Sequence, residues 1–177
     1  MRKLKLDELN RISKDAFKQA EKLPIIVVLD NVRSAMNIGS VFRSADAFLI
    51  QSIYLVGITA TPPNREILKT ALGATETVDW KYFPTAEACI NELDKYEVDL
   101  IAIEQSDDSV YLQDFIWQIG KKYALVFGNE VDGVSDVFME NCLQCVEIPQ
   151  MGTKHSFNIS VSAGIVLWEA AKKLAAF

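Results

Sequence analysis

An α/β fold built on a mostly parallel sheet is predicted by three features of the 177-residue sequence. Short, continuous, β-branched apolar runs recur along the chain, as strands buried on both faces of a parallel sheet require. Amphipathic stretches of helical spacing separate those runs, the alternation expected of βαβ units. Polar and glycine-rich residues gather just after three of the strands, where open parallel sheets bind ligands.

The first segment, about Asp7 to Lys22, has helical spacing through Leu9, Ile12 and Ala16, and Pro24 stops it. It reads as an N-terminal helical extension over residues 1–24, with one domain over 25–177. The strand-like runs are Ile25–Leu29, Ser52–Val56, Val98–Ile103, Tyr123–Phe127 and Cys145–Ile148, with a weaker edge candidate at Val78–Phe83. Between them, Asn37–Phe48 places Ile38, Val41, Ala45 and Phe48 on one helical stripe. Helical patterns follow at Asn64–Leu72, Ala86–Tyr96 and Ser135–Asn141. The last, Phe157–Leu174, is apolar almost all round, as in a helix that is central or pressed against a partner.

Composition narrows the function. Half of the residues are hydrophobic, enough for one substantial core, yet no run reaches the roughly 18 apolar residues of a membrane span. No signal-peptide pattern opens the chain, so a cytoplasmic protein is expected. The formal charge is −6, but residues 1–22 carry seven Lys or Arg against four acids, a local +3 on a remainder of −9. That basic end reads either as a phosphate-contacting arm or as a solvated helix face. Cys142 and Cys145 form a C-x-x-C, but no second pair completes a zinc site, and Cys145 leads into a strand instead of opening a helix. They read as ordinary buried thiols, and no metal is expected. Neither G-x-G-x-x-G nor G-x-x-x-x-G-K-[ST] occurs, which leaves dinucleotide and P-loop sites unsupported.

Three strand-end clusters carry the chemistry. After Leu29, Asn37 is placed to cap a helix, and Ser40 and Arg43 project from it away from the core stripe. After Phe127, Gly128-Asn129-Glu130 and Gly133 suggest a loop that lets backbone approach a ligand, with Ser135 capping the next helix. After Ile148, a loop from Pro149 to His155 runs into Ser156, Asn158 and Ser160 at a helix start. Each cluster alone is also what an ordinary capped helix or strand–helix turn looks like. His155 reads as a solvated loop residue.

Together, content and order resemble one family. Asn37, Gly39 and Arg43 resemble the first motif of the SpoU-type (SPOUT class, TrmH-like) RNA 2′-O-ribose methyltransferases. Gly128-Asn129-Glu130 with Gly133 resembles the second. Ile148-Pro149 followed by Ser156-Phe157-Asn158-Ile159-Ser160-Val161 resembles the third, and Lys69–Ala74 resembles the connecting segment. The likeness runs from about Ile25 to Trp168. Gln150 stands where that family commonly has methionine, Phe157 where it has leucine and Ser162 where it has alanine.

The resemblance implies a deep C-terminal trefoil knot, an exception to the rule that chains stay unknotted. It implies a homodimer with active sites near its interface, to which the Phe157–Leu174 helix is suited. It also implies S-adenosylmethionine as cofactor, held by Gly128, Ile148, Met151, Ser156 and Phe157, with Glu104 at its border. Arg43, Asn37, Glu130, Asn158 and Ser160 would form the catalytic group, and methyl would pass to a ribose 2′-hydroxyl of structured RNA. With only a short basic helix ahead of the core, tRNA is expected ahead of rRNA. The rival expectations are a non-catalytic RNA-binding or assembly protein keeping the fold, and a methyltransferase acting on something other than RNA.

Overall fold

The structure, a computed structural model, describes residues 1–175. The last two residues of the domain expected from the sequence lie outside the described residues. Among the described residues, seven strands form one sheet: β1 (Leu23–Asp30), β2 (Ile50–Val56), β3 (Asp79–Phe83), β4 (Val98–Ile103), β5 (Ser109–Tyr111), β6 (Lys122–Phe127) and β7 (Gln144–Glu147). Their order is β3-β2-β1-β6-β4-β7-β5, and each adjacent pair runs parallel. The helices are α1 (Lys14–Gln19), α2 (Ala35–Ala47), α3 (Arg65–Ala71), α4 (Ala86–Leu93), α5 (Asp136–Asn141) and α6 (Ile159–Leu174).

Strand β1 shows why its sequence is an unbroken apolar run. Ile25, Val27 and Leu29 join the core beneath α2 and α6, while Ile26 and Val28 join the core beneath α4 and α5. Both faces are covered, so every position from Ile25 to Asp30 is buried. The α2–α6 side is the larger core and includes Phe17, which fixes α1 to the domain. No helix among the described residues is long and apolar enough to cross a membrane.

Several boundaries differ from the sequence expectation, each for a local reason. The first segment is not one helix: a 3₁₀ turn at Leu6–Leu9 ends on Asn10 in the left-handed region (φ 48°). Ser13 then starts α1 afresh by accepting a hydrogen bond from Ala16 N at 3.1 Å. Asn37 does not cap α2, because Ser34 Oγ accepts its amide at 3.3 Å and places it in the first turn. Ser135 precedes α5, but its hydroxyl is buried without a partner. Asn158 caps α6, accepting from Ser160 N at 2.9 Å, so Phe157 lies outside that helix. The three-residue β5, unpredicted, extends the sheet beyond β7.

Candidate functional site

Three neighbouring strands, β1, β6 and β4, end together and clamp one loop. Asp30, at the end of β1 and 1 % exposed, accepts a hydrogen bond from Ser135 N at 2.8 Å. Glu104, just after β4, accepts from Val134 N at 3.1 Å and from Gln105 N at 2.9 Å. Two consecutive amides beyond β6 are thus held by carboxylates from the strands on either side of it. Charge-assisted bonds of this kind are about twice as strong as neutral ones.

Between the clamp and β6 the chain makes a tight turn. Asn129 and Gly133 exchange backbone hydrogen bonds of 3.2 and 3.1 Å, and Asn129 Oδ1 accepts from Val131 N and Asp132 N, both at 2.9 Å. Gly133 sits at φ 70°, with the Glu104 carboxylate where a side chain would be. A Cβ on Gly128 would overlap the carbonyl of Gly133 and the amide of Val134. Both positions therefore require glycine.

The turn presents Glu130 to α2, and from there a hydrogen-bonded chain runs to α6. Asn37 Nδ2 donates to Glu130 Oε1 at 2.9 Å, and Asn158 Nδ2 donates to Asn37 Oδ1 at 3.2 Å. Asn158 Oδ1 accepts from the Ser160 amide at 2.9 Å and from its hydroxyl at 2.7 Å. The direction of this chain is fixed at both ends. A carboxylate only accepts and a backbone N–H only donates, so neither asparagine can flip without losing a bond. Every donor points toward Glu130, and bonds aligned in this way polarise one another.

Glu130 also lines a cleft beside the chain. That cleft is walled by Ile103 and Glu104 after β4, by Phe127, Gly128 and Asn129 at β6, and by Glu147, Ile148 and Gln150 at β7. Ser156, Phe157, Ile159 and Ser162 close it from the entry to α6. Among the described residues, three carboxylates, Glu104, Glu130 and Glu147, line it and no cationic side chain does. Such a wall attracts a cationic ligand, and the apolar residues give a flat aromatic group its contacts.

Of the sequence-derived cofactor residues, Gly128, Ile148, Ser156, Phe157 and Glu104 line this cleft. Met151 does not: its side chain is fully exposed. It lies on a loop whose residues Met151–Asn158 are all exposed, and Pro149–Phe157 make no hydrogen bond among the described residues. Asn37, Glu130, Asn158 and Ser160 come together, whereas Arg43 lies elsewhere. Six residues on from Asn37, it faces about 120° away around α2 and lines a separate groove against α1. Sequence reasoning missed Glu147 as a cleft residue, whereas Gln150 and Ser162, noted as departures from the family pattern, line it. It also missed Asp30, whose signal was a lone acid closing an apolar strand.

The cysteines do not line the cleft. Cys142 Sγ donates to Met139 O and Cys145 Sγ to Glu104 O, each at 3.2 Å, and burial pushes the Cys145 thiol up from its ordinary pKa. Among the described residues, no group of three or more His, Cys, Asp or Glu is placed to hold a metal.

Comparison with known proteins gives this arrangement its setting. A 23S rRNA (guanosine-2′-O-)-methyltransferase RlmB of Neisseria meningitidis is 30 % identical over 159 residues, 90 % of this chain and 62 % of that protein. The chain thus spans under two thirds of the length of that relative. An AdoMet-bound rRNA methyltransferase structure from Sinorhizobium meliloti matches with TM-score 0.81 and 28 % identity, covering 94 % of this chain and 62 % of the other. The TrmH/SpoU tRNA modifying enzyme of A. aeolicus matches with TM-score 0.78 and 25 % identity, covering 90 % and 79 %. The family profile described as the SpoU rRNA Methylase family matches residues 24–168, a span that holds all three strand-end clusters. The chain belongs to the SpoU rRNA methylase family.

Proposed function

We propose that this chain transfers a methyl group from S-adenosylmethionine to a ribose 2′-hydroxyl of RNA, with rRNA as the favoured substrate. The observation that carries the proposal is the junction at Glu130. One of its oxygens anchors the asparagine chain, while the residue also lines a cleft of three carboxylates and no cation. When bound, S-adenosylmethionine supplies a methyl group on a positively charged sulfonium. The donor set fits it: carboxylates for its cationic groups, and Ile103, Phe127, Ile148, Phe157 and Ile159 for its adenine. Ser156, Gln150, Ser162 and the backbone of Gly128 would hold its polar edges.

The chain's own part is alignment and proton handling. Asn37, Asn158 and Ser160 offer a fixed array of donors and acceptors beside the cleft, suited to orienting a ribose. Glu130, with its second oxygen unengaged, is the acceptor at hand for the hydroxyl proton. The Arg43 guanidinium offers donors in a planar fork and no acceptor, so its role is to clamp a phosphate. Met151 would reach the cofactor once its unbonded loop folds over the cleft. In the same reading, the C-terminal segment is threaded as a deep trefoil knot. Its support is the family match over residues 24–168. A homodimer is proposed to form over the exposed stripe of Phe157, Val161 and Trp168.

The preference for tRNA expected from the N-terminal segment is replaced by rRNA, because the relative at 30 % identity is named for 23S rRNA. The test is to incubate the protein with labelled S-adenosylmethionine and, in parallel, unmodified 23S rRNA and bulk tRNA. Label in alkali-resistant dinucleotides is the expected result, with rRNA the better acceptor. Cofactor binding without transfer to either RNA would overturn the catalytic reading in favour of a non-catalytic RNA-binding role.

A further inference from the structure

The groove that holds Arg43 lies between the N-terminal segment, the C-terminal half of α2 and the turn after α3. It is lined by Arg11 and Lys14 from the N-terminal segment, Arg43 and Asp46 from α2, and the turn from Leu72 to Ala74. Its ions are unevenly matched. Lys14 pairs with Glu76, and Asp46 accepts a hydrogen bond from the Thr77 hydroxyl at 2.5 Å. The side chains of Arg11 and Arg43, both exposed, have no ion pair or hydrogen bond among the described residues. Two guanidinium groups thus line one groove with their donors unspent, and the segment that brings Arg11 there is the net-positive end of an otherwise acidic chain.

We infer that this groove is a phosphodiester subsite, in which Arg11 and Arg43 hold RNA backbone flanking the ribose presented at Asn37. Along α2, Arg43 lies about 9 Å in axial rise beyond Asn37 and about 120° around the helix, so a strand that reaches both crosses the helix. A fork of planar donors suits phosphate oxygens, and contacts of this kind position a strand without reading its bases. The N-terminal segment therefore contributes affinity and register, and sequence choice rests elsewhere. This inference rests on the proposed RNA substrate and adds Arg11 as a binding residue.

The test uses the whole chain and an unmodified 23S rRNA transcript. Arg11→Ala should weaken binding on the order of fivefold and reduce the slope of log affinity against log salt by about one. KM for the transcript should rise with kcat unchanged, and S-adenosylmethionine affinity and the thermal midpoint should stay at wild-type values. Arg11→Lys, which keeps the charge, should retain the salt slope; a slope lost equally in both variants would mean a structural role and overturn the subsite. An unchanged slope and KM for Arg11→Ala, in a background where wild type methylates the transcript, would overturn the subsite alone. A salt slope that falls in Arg11→Ala although wild type transfers no methyl would support the subsite while removing the catalytic reading. Failure of wild type to bind RNA at all would overturn both.

Discussion

Asn37→Asp tests whether the polarity of the Glu130–Asn37–Asn158–Ser160 chain matters, because it changes one atom and almost no volume. Asn37 donates to Glu130 at 2.9 Å and accepts from Asn158 at 3.2 Å. The aspartate keeps the second bond and loses the first, setting two carboxylates against each other. At such a distance their repulsion is about 1 kcal/mol in a water-like dielectric, the appropriate limit because Glu130 is exposed. The lost bond to a charged group adds about 1.5 kcal/mol, the low end of its range. The local penalty of roughly 2–3 kcal/mol falls on the alignment of the site and corresponds to about a 30- to 160-fold loss in kcat/KM. Folding stability should drop by less than about 1 kcal/mol, since the carboxylates can turn into solvent. S-adenosylmethionine affinity should change little, because Asn37 does not line the cleft. Single-turnover methyl transfer, calorimetric cofactor binding and thermal denaturation separate these three quantities. Adding Glu130→Gln restores a donor opposite the aspartate, so the double variant should regain stability without regaining activity. Transfer by Asn37→Asp within twofold of wild type at neutral pH would refute the role assigned to the chain.

Three further outcomes follow from other parts of the molecule. Gly128→Ala drives a methyl into the backbone of Gly133 and Val134. It should cost about 1–3 kcal/mol of stability and at least about tenfold in cofactor affinity, and a calorimetric titration matching wild type would rule this out. Burial, with smaller contributions from Asp30 and Glu92, pushes the Cys89 thiol from 9.0 up to about 12. Above pH 9 the unfolded chain releases that proton and the folded chain keeps it, so stability falls with rising pH by about 1.4 kcal/mol per unit. Urea unfolding at pH 8 and pH 10 should show a smaller decline in Cys89→Ala than in wild type, and equal declines would contradict the assignment. Val161→Glu places a charge on the exposed stripe of α6 and should shift the protein toward monomer in light scattering, whereas an unchanged mass would remove that stripe from the interface.

The sheet was legible because each of its inner strands is covered on both faces and so reads as an apolar run. β5 escaped because a three-residue edge strand, Ser109–Tyr111, buries too little to leave a pattern. The N-terminal helix was overextended because Leu9, Ile12 and Ala16 keep helical spacing across Asn10, whose left-handed backbone breaks the segment. Within the site, residues that act through their neighbours in sequence were visible: Gly128, Glu130 and Asn158 sit inside compact motifs. What the sequence could not show was which of them touch. Asn37 and Asn158 lie 121 positions apart and are joined only by the folding of α6 onto α2. The motif that pairs Asn37 with Arg43 suggested one cluster, but a helix turns about 100° per residue and sends the two to different faces.

That separation gives the molecule a division of charge that its net value of −6 conceals. The cleft at the strand ends has carboxylates and no cation, and the groove under α1 has two uncommitted guanidinium groups. A cationic methyl donor would be drawn to the first of these surfaces and the phosphates of a polyanionic acceptor to the second. The two are joined by α2, whose first turn carries Asn37 and whose middle carries Arg43. The net acidity of the chain is then compatible with the proposed RNA substrate, because two exposed arginines share one groove.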